Sequence, residues 1–444
     1  SNDTMRFLKK IISATLVMIM GCSLLSGCGK LTSDDDTLKI YYVKNAMEYD
    51  KCINQFQALN KDIKCDITTF DSEKEMGDKI SLDMASDDGP DIIFLSYEST
   101  INIEKAMDSG KFLDLSSYIA GDEDFNDDSY FMNIINACKR NDELTVMPFN
   151  FDINVFCYQN NKADAFKELD SKNLNYSDFV NYIDECQSSL LSDDMNMAMT
   201  TLGAYISQKD LLVCLINDMG LNVINHKNEV TLKKEDLKTL CSITKKIKDE
   251  NEKKFEYLNA NMSANTMYNY FDSFVTNYND TPISLSLISA NSFDSQDIQF
   301  SGIPNSQGEG YTAFITNYGV INKQCKNADK AYRLLKYISG YRADYSSRLY
   351  MSVNKDIYND KIEEISNATS WTMSSGKTYK LRKWDDETKT KFKYIIDNIK
   401  YVHINNTYVE NIISDSMKAY IDNTKDFDEC YDDLLFKLNL YINE

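Results

Sequence analysis

Histidine, the side chain best suited to proton transfer near neutral pH, occurs at two positions only, His226 and His403, far apart in sequence. A His-x-x-x-His metal pair cannot be built from them, and no Gly-x-Ser-x-Gly elbow supports a serine triad. Cys-x-x-Cys, Gly-x-Gly-x-x-Gly and Walker-type loops are also missing, which argues against zinc, nucleotide and other cofactors. Glu98 and Asp152 form a conceivable glycosidase pair, since such enzymes need two acids across the scissile bond. In so acidic a chain that pairing has little specificity.

One cysteine does sit in a chemically telling place. A basic stretch from Met5 to Lys10 precedes an apolar run from Ile11 to Met20, and small residues follow up to Leu25-Ser26-Gly27-Cys28. That order is a removable export signal over residues 1–27, too interrupted by Gly21, Ser23, Ser26 and Gly27 for a good transmembrane span. The tetrapeptide resembles the bacterial lipobox, which implies that Cys28 is acylated with palmitate-like chains and becomes the new N-terminus. Such a chain anchors a protein to a membrane surface without spanning it. Residues 28–37 would then be a lipidated tether.

The 444 residues carry 48 basic and 69 acidic side chains, a formal charge of -21 that becomes -23 once Asp3, Arg6, Lys9 and Lys10 leave with the signal. Nucleic acid and anionic lipid headgroups both need a basic face, so neither is an expected partner. Besides Cys22 and Cys28, nine cysteines remain, an odd number that cannot all pair. Most lie at apolar positions of periodic segments, as Cys52 does beside Ile53 and Phe56, where a thiol acts as a small core hydrophobe. Unpaired thiols on an exported protein point to an anaerobic setting.

The elements that must position any site follow from periodicity. Leu38–Val43 reads as a strand, 46–60 as an amphipathic helix, and Lys64–Phe70 as a strand. Ser72 and Glu75 form a capping box for a helix carrying Met76, Ile80 and Met84 on one face. Asp87-Asp88-Gly89 ends it, and Pro90–Ser96 is a continuous apolar strand of the kind buried on both faces. Two β-rich pieces flank Pro148, Leu144–Met147 and Ile153–Tyr158. Ser177 caps a helix with Val180 and Ile183, Ile283–Ile288 and Gly319–Asn322 read as strands, and Asn327 caps a helix with Ala331, Leu334, Leu335 and Ile338. The last 90 or so residues are helical in pattern. The β-α-β-α-β order predicts an α/β fold, and the roughly 415 residues after the signal exceed one ordinary core.

Four segments resemble the extracellular solute-binding proteins of ABC importers, in particular the sugar-binding group that includes maltodextrin-binding protein. They are Gly89-Pro90-Asp91-Ile92-Ile93, Phe112–Tyr118, the crossing piece Leu144–Tyr158 with Gln159, and Gly302-Ile303-Pro304 followed by Tyr318–Ile321 and Asn327–Leu335. The resemblance implies a two-lobed periplasmic-binding-protein-like fold with discontinuous lobes joined by crossing hinge segments. Lobe one would be 38–148 and 316–352, and lobe two 149–315 and 353–444. It further implies a monomeric, outward-facing lipoprotein of a Gram-positive membrane that takes a mono- or oligosaccharide into its cleft and hands it to ABC permease subunits. A surface glycoside hydrolase, or an adhesin or sensor on the same fold, is the alternative.

A sugar offers an apolar ring face and a rim of hydroxyls, so its cleft needs aromatic platforms, amides and carboxylates. In open α/β sheets such groups sit just past the carboxyl ends of strands. Lys44 and Asn45 follow the first strand, Tyr97 and Glu98 the third, and Asn150, Phe151 and Asp152 lie in the crossing segment. Tyr205 lies in a loop before a helix, Asn291 and Phe293 follow the strand at 283–288, and Tyr408 comes after Asn405 and Asn406. No metal ligands or catalytic residues are expected.

Overall fold

Apolar periods of two and of 3.6 residues alternate from the first strand onward and lay down strands and helices in turn. The computed structural model of the protein describes residues 36–44, 46–86, 88–159, 212–213, 215–217, 219–261, 273–275, 298–342, 351–372, 376, 378–380 and 383–444. The export signal, Cys28, Asn45, Tyr205, Asn291, Phe293, the helix capped by Ser177 and the strand at 283–288 lie outside these residues.

The chain opens with β1 (Thr37–Val43), α1 (Tyr49–Leu59), β2 (Lys64–Phe70), α2 (Glu73–Ala85) and β3 (Ile92–Ser96). Ser72 accepts from the Glu75 N–H at 3.1 Å as the capping box predicts. Glu75 returns to the Asp71 N–H at 3.1 Å, one residue before the position such a box normally uses. Short helices α3 (Ile103–Asp108), α4 (Ser116–Ala120) and α5 (Met132–Ala137) lead to β4 (Met147–Ile153) and β5 (Val155–Gln159). Strand β4 therefore runs through Pro148 and stops at Asn154, whereas the sequence reading breaks it at the proline. Pro148 has no N–H to give, and the pairing with the neighbouring strand slips there instead of ending.

After α6 (Lys234–Asn261), β6 (Ser273–Val275) and β7 (Ile298–Gly302) comes β8 (Tyr311–Ile321), which begins eight residues before the expected Gly319–Asn322 and ends one residue short of it. Then follow α7 (Ala328–Ser339), β9 (Met351–Ser352), α8 (Lys355–Asn367), the hairpin β10 (Ser370–Thr372) and β11 (Thr378–Lys380), α9 (Asp386–Asp397), β12 (Ile399–His403), α10 (Thr407–Ile421) and α11 (Phe427–Asn443). The all-helical reading of this last stretch thus misses a hairpin and a strand. Ile399-Lys400-Tyr401-Val402-His403 is too short for a period to stand out between two helices.

A seven-stranded mixed sheet has the order β2-β1-β3-β8-β4-β9, with β12 also on β8, and a three-stranded sheet has the order β6-β5-β7. Strands β1 and β3 are parallel, so both end at one edge. There β8 exchanges neighbours: Tyr311–Phe314 pair with β12 and Asn317–Ile321 with β3, while β4 follows its other side from Ala313 to Gly319. Two separate cores result. The first gathers Leu38, Ile40, Ile53, Ile92, Phe94 and Leu334, the second Leu212, Ile216, Leu240, Val409, Met417 and Leu434. Val353, Trp384, Phe392 and Ile399 pack in the first core, so the stretch from 353 to 404 sits with lobe one and not, as the sequence reading has it, with lobe two. Pairing of β12 with β8 and the packing of α8 on β9 and of β12 on α5 account for this.

Candidate functional site

Tyr97, one residue past β3, is gripped from several sides. Its N–H donates to the Thr316 carbonyl at 2.9 Å, and its own carbonyl accepts from the Asn405 amide. Its ring meets Phe314 and His403 edge to face, each at 5.9 Å between centroids, and those two rings meet at 5.8 Å. Strand β8 supplies Phe314 and the end of β12 supplies His403, so both crossing strands converge on the end of β3.

Around this point lie further residues singled out from sequence. Glu98 is exposed, and its N–H donates to Ser96 Oγ at 3.2 Å. The same serine, with Ser99, donates to Glu73 in the first turn of α2, at 2.6 and 3.0 Å. Burial lifts the Glu73 carboxyl above its ordinary range and the charge of Glu98 adds to the lift, against the two serine hydrogen bonds. Lys44, at the end of β1, is ion-paired to Asp71 at 2.8 Å, and that carboxylate raises its affinity for the proton. Asn150 is buried in β4 with its amide toward Asn317 Oδ1 at 3.4 Å, and buried Asp152 Oδ1 accepts the Ile153 N–H at 2.8 Å.

Phe151 does not join them. It is 1 % exposed and packs against Phe131 and Tyr358, with ring centroids 5.7 and 6.3 Å away. Strand alternation turns Phe151 to the face opposite Asp152. Tyr408, in the first turn of α10, is half exposed and near enough to Lys74 to influence its charge. Trp384 is a packing residue, 7 % exposed against Phe392. The sequence reading did not single out Glu73, Phe314 or His403 as neighbours of Tyr97. The place of Glu73, directly after the capping Ser72, was a signal; the other two depend on pairing across β8, which no local pattern reveals.

On the other side of α10 the fold brings both histidines to one cavity of about 420 Å³. Its walls include Glu104 and Arg140 from the first-core side, Asn217 from the second, and Thr312 of β8. His403 Nε2 lies 3.1 Å from Glu410 Oε1, which also accepts from Asn217 at 3.0 Å. Asn406 and Glu410 line this cavity while Tyr408, two residues from each, points away, as helical spacing requires. Among the described residues no group of three or more His, Cys, Asp and Glu could hold a metal, and no helix is long and apolar enough to cross a membrane. The arrangement can hold a polar molecule by hydrogen bonds; it does not assemble a nucleophile with an oriented base.

Residues 41–344 match the family described as bacterial extracellular solute-binding protein, and the chain belongs to it. It is a family of binding proteins, not enzymes. No curated protein matches the chain. Among solved structures it is similar to the sugar-binding protein MalE of Xanthomonas citri, at 10% identity over 92% of this chain and 97% of that one, with a TM-score of 0.59. An extracellular solute-binding protein from Staphylococcus aureus in complex with maltose gives 14%, 92%, 98% and 0.53. An ABC substrate-binding protein from Listeria monocytogenes in complex with cycloalternan gives 14%, 92%, 99% and 0.51. At such identities the likeness establishes the two-lobed fold.

Proposed function

We propose that this protein is the lipid-anchored receptor of an ABC importer, exported by residues 1–27, acylated at Cys28, and capturing a mono- or oligosaccharide between its lobes for delivery to a membrane permease. The observation that carries the reading is the convergence of β3, β8 and β12 on Tyr97, in a chain of the solute-binding family that has two hydrophobic cores. Sugar ligands in two of the similar structures support the choice of solute. Lys44, Asn45, Tyr97, Glu98, Asn150, Asp152, Tyr205, Asn291, Phe293 and Tyr408 are the proposed contacts. Phe151 is set aside because its ring is enclosed in the first core.

A ligand that binds only the folded state raises its melting temperature. A thermal-shift screen of mono- and oligosaccharides, amino acids and polyamines is expected to single out saccharides, with the added oligosaccharide recovered intact by chromatography. Stabilisation by amino acids alone overturns the saccharide assignment, and cleavage products overturn the binding-only one.

A further inference from the structure

Tyr97 is held at two levels. Its backbone bonds to the Thr316 carbonyl at 2.9 Å and to the Asn405 amide, and both of those residues are buried. Its ring is half-buried and meets Phe314 and His403 edge to face, each at 5.9 Å between centroids. Phe314 is 2 % exposed, so the packing around it leaves its ring little room. His403 differs, because its side chain is 20 % exposed at the wall of the cavity of about 420 Å³. Whatever fixes the imidazole there acts through its polar edge.

That edge is held from the second core. His403 Nε2 lies 3.1 Å from Glu410 Oε1, and the same oxygen accepts from Asn217 Nδ2 at 3.0 Å. An ionised carboxylate only accepts, so Nε2 is the nitrogen that carries the proton and donates. Glu410 lies in α10 between Val409 and Ile413, and Asn217 follows Ile216; all three apolar neighbours pack in the second core. The backbone of His403 instead pairs with Phe314 at the end of β12, in the large sheet. One side chain thus has its backbone in the first sheet and its hydrogen bond in the second core. Both the imidazole and the carboxylate are about a fifth exposed, so the pair adds little net stability. Its effect is orientation, since a satisfied polar network fixes the groups that compose it.

We propose that His403 is a positioning residue of the saccharide site: Glu410 and Asn217 set the angle of its ring, and that ring sets the angle of Tyr97. The aromatic platform at the end of β3 then answers to α10 and the second core. A platform held in its binding orientation loses less freedom when a sugar settles on it, and so binds more tightly. The inference rests on Tyr97 as a sugar contact, and its test reads the ring and the sugar separately.

The full-length chain would be labelled with fluorotyrosine, the Tyr97 signal in fluorine NMR being the one that Tyr97→Phe removes. Glu410→Ala is expected to shift or broaden that signal, and Glu410→Gln, which keeps an oxygen for both donors, to restore it. Calorimetry then uses maltotriose or, where it does not bind, the saccharide singled out by the thermal screen. Glu410→Ala is expected to weaken binding about fivefold while moving the melting temperature by no more than about 2 °C, and Glu410→Gln to recover most of the affinity. In a Tyr97→Leu background the loss caused by Glu410→Ala is expected to vanish, because coupled residues are not additive. A Tyr97 signal indifferent to Glu410→Ala, or a loss of affinity that persists in the Tyr97→Leu background, overturns the proposal. A signal that responds in a chain that binds no saccharide keeps the positioning of Tyr97 and overturns the saccharide reading.

Discussion

Gly319 has no side chain because three neighbours occupy the space one would need. A β-carbon there would lie 2.7 Å from Leu335 Cδ2, 3.0 Å from Phe149 Cζ and 3.2 Å from Phe94 Cδ1. Gly319→Ala is expected to cost about 1–3 kcal/mol by overpacking, read as a lower urea midpoint at unchanged slope. At this scale the sequence was a partial guide. Positions after strand ends were legible, since Tyr97 and Glu98 lie where a β3 ending at Ser96 puts them. Phe151 was misread because it shares a segment with Asn150 and Asp152, and only the finished strand reveals which neighbours turn inward.

Between elements, Asp422 ties α10 to α6. Standing just past the end of α10, it accepts from Lys248 at 2.8 Å and from Lys418 in the last turn of α10. The Lys248 hydrogen bond, then that of Lys418, holds its carboxyl below the ordinary aspartate range. A carboxyl lowered in the folded state adds stability above its unfolded pKa, and this is lost as pH falls through the folded value. Asp422→Asn is thus expected to lower stability at pH 7 by up to about 1 kcal/mol, given its part exposure. The difference from the unsubstituted protein should fade below about pH 4 in parallel denaturation curves. Elements with long apolar periods were legible, β2 to the residue. Strand β12 was not, because its place is decided by the open edge of β8 and not by its own five residues.

For the whole molecule, the α/β class and the two-lobed fold were legible from strand and helix order together with four ordered motifs. The path of the last 90 or so residues was not. Local apolar patterns do not say which of two cores will take a helix, and α8 and α9 join the first while α10 and α11 join the second. If the cleft between the cores is the binding site, a bound saccharide closes it by a hinge motion. Small-angle scattering is then expected to show a smaller radius of gyration with the saccharide picked out by the thermal screen than without it; an unchanged curve at saturation contradicts closure.

Strand β8 is common property. Its first residues extend a ladder with β12 and its last a ladder with β3, with β4 along the opposite side. One plank thus carries three neighbours, all of them on the first core. Neither lobe can be lifted out as one continuous piece of chain, because the second core is gathered from Leu212 to Ile303 and again from Val409 to Leu438, on either side of β8.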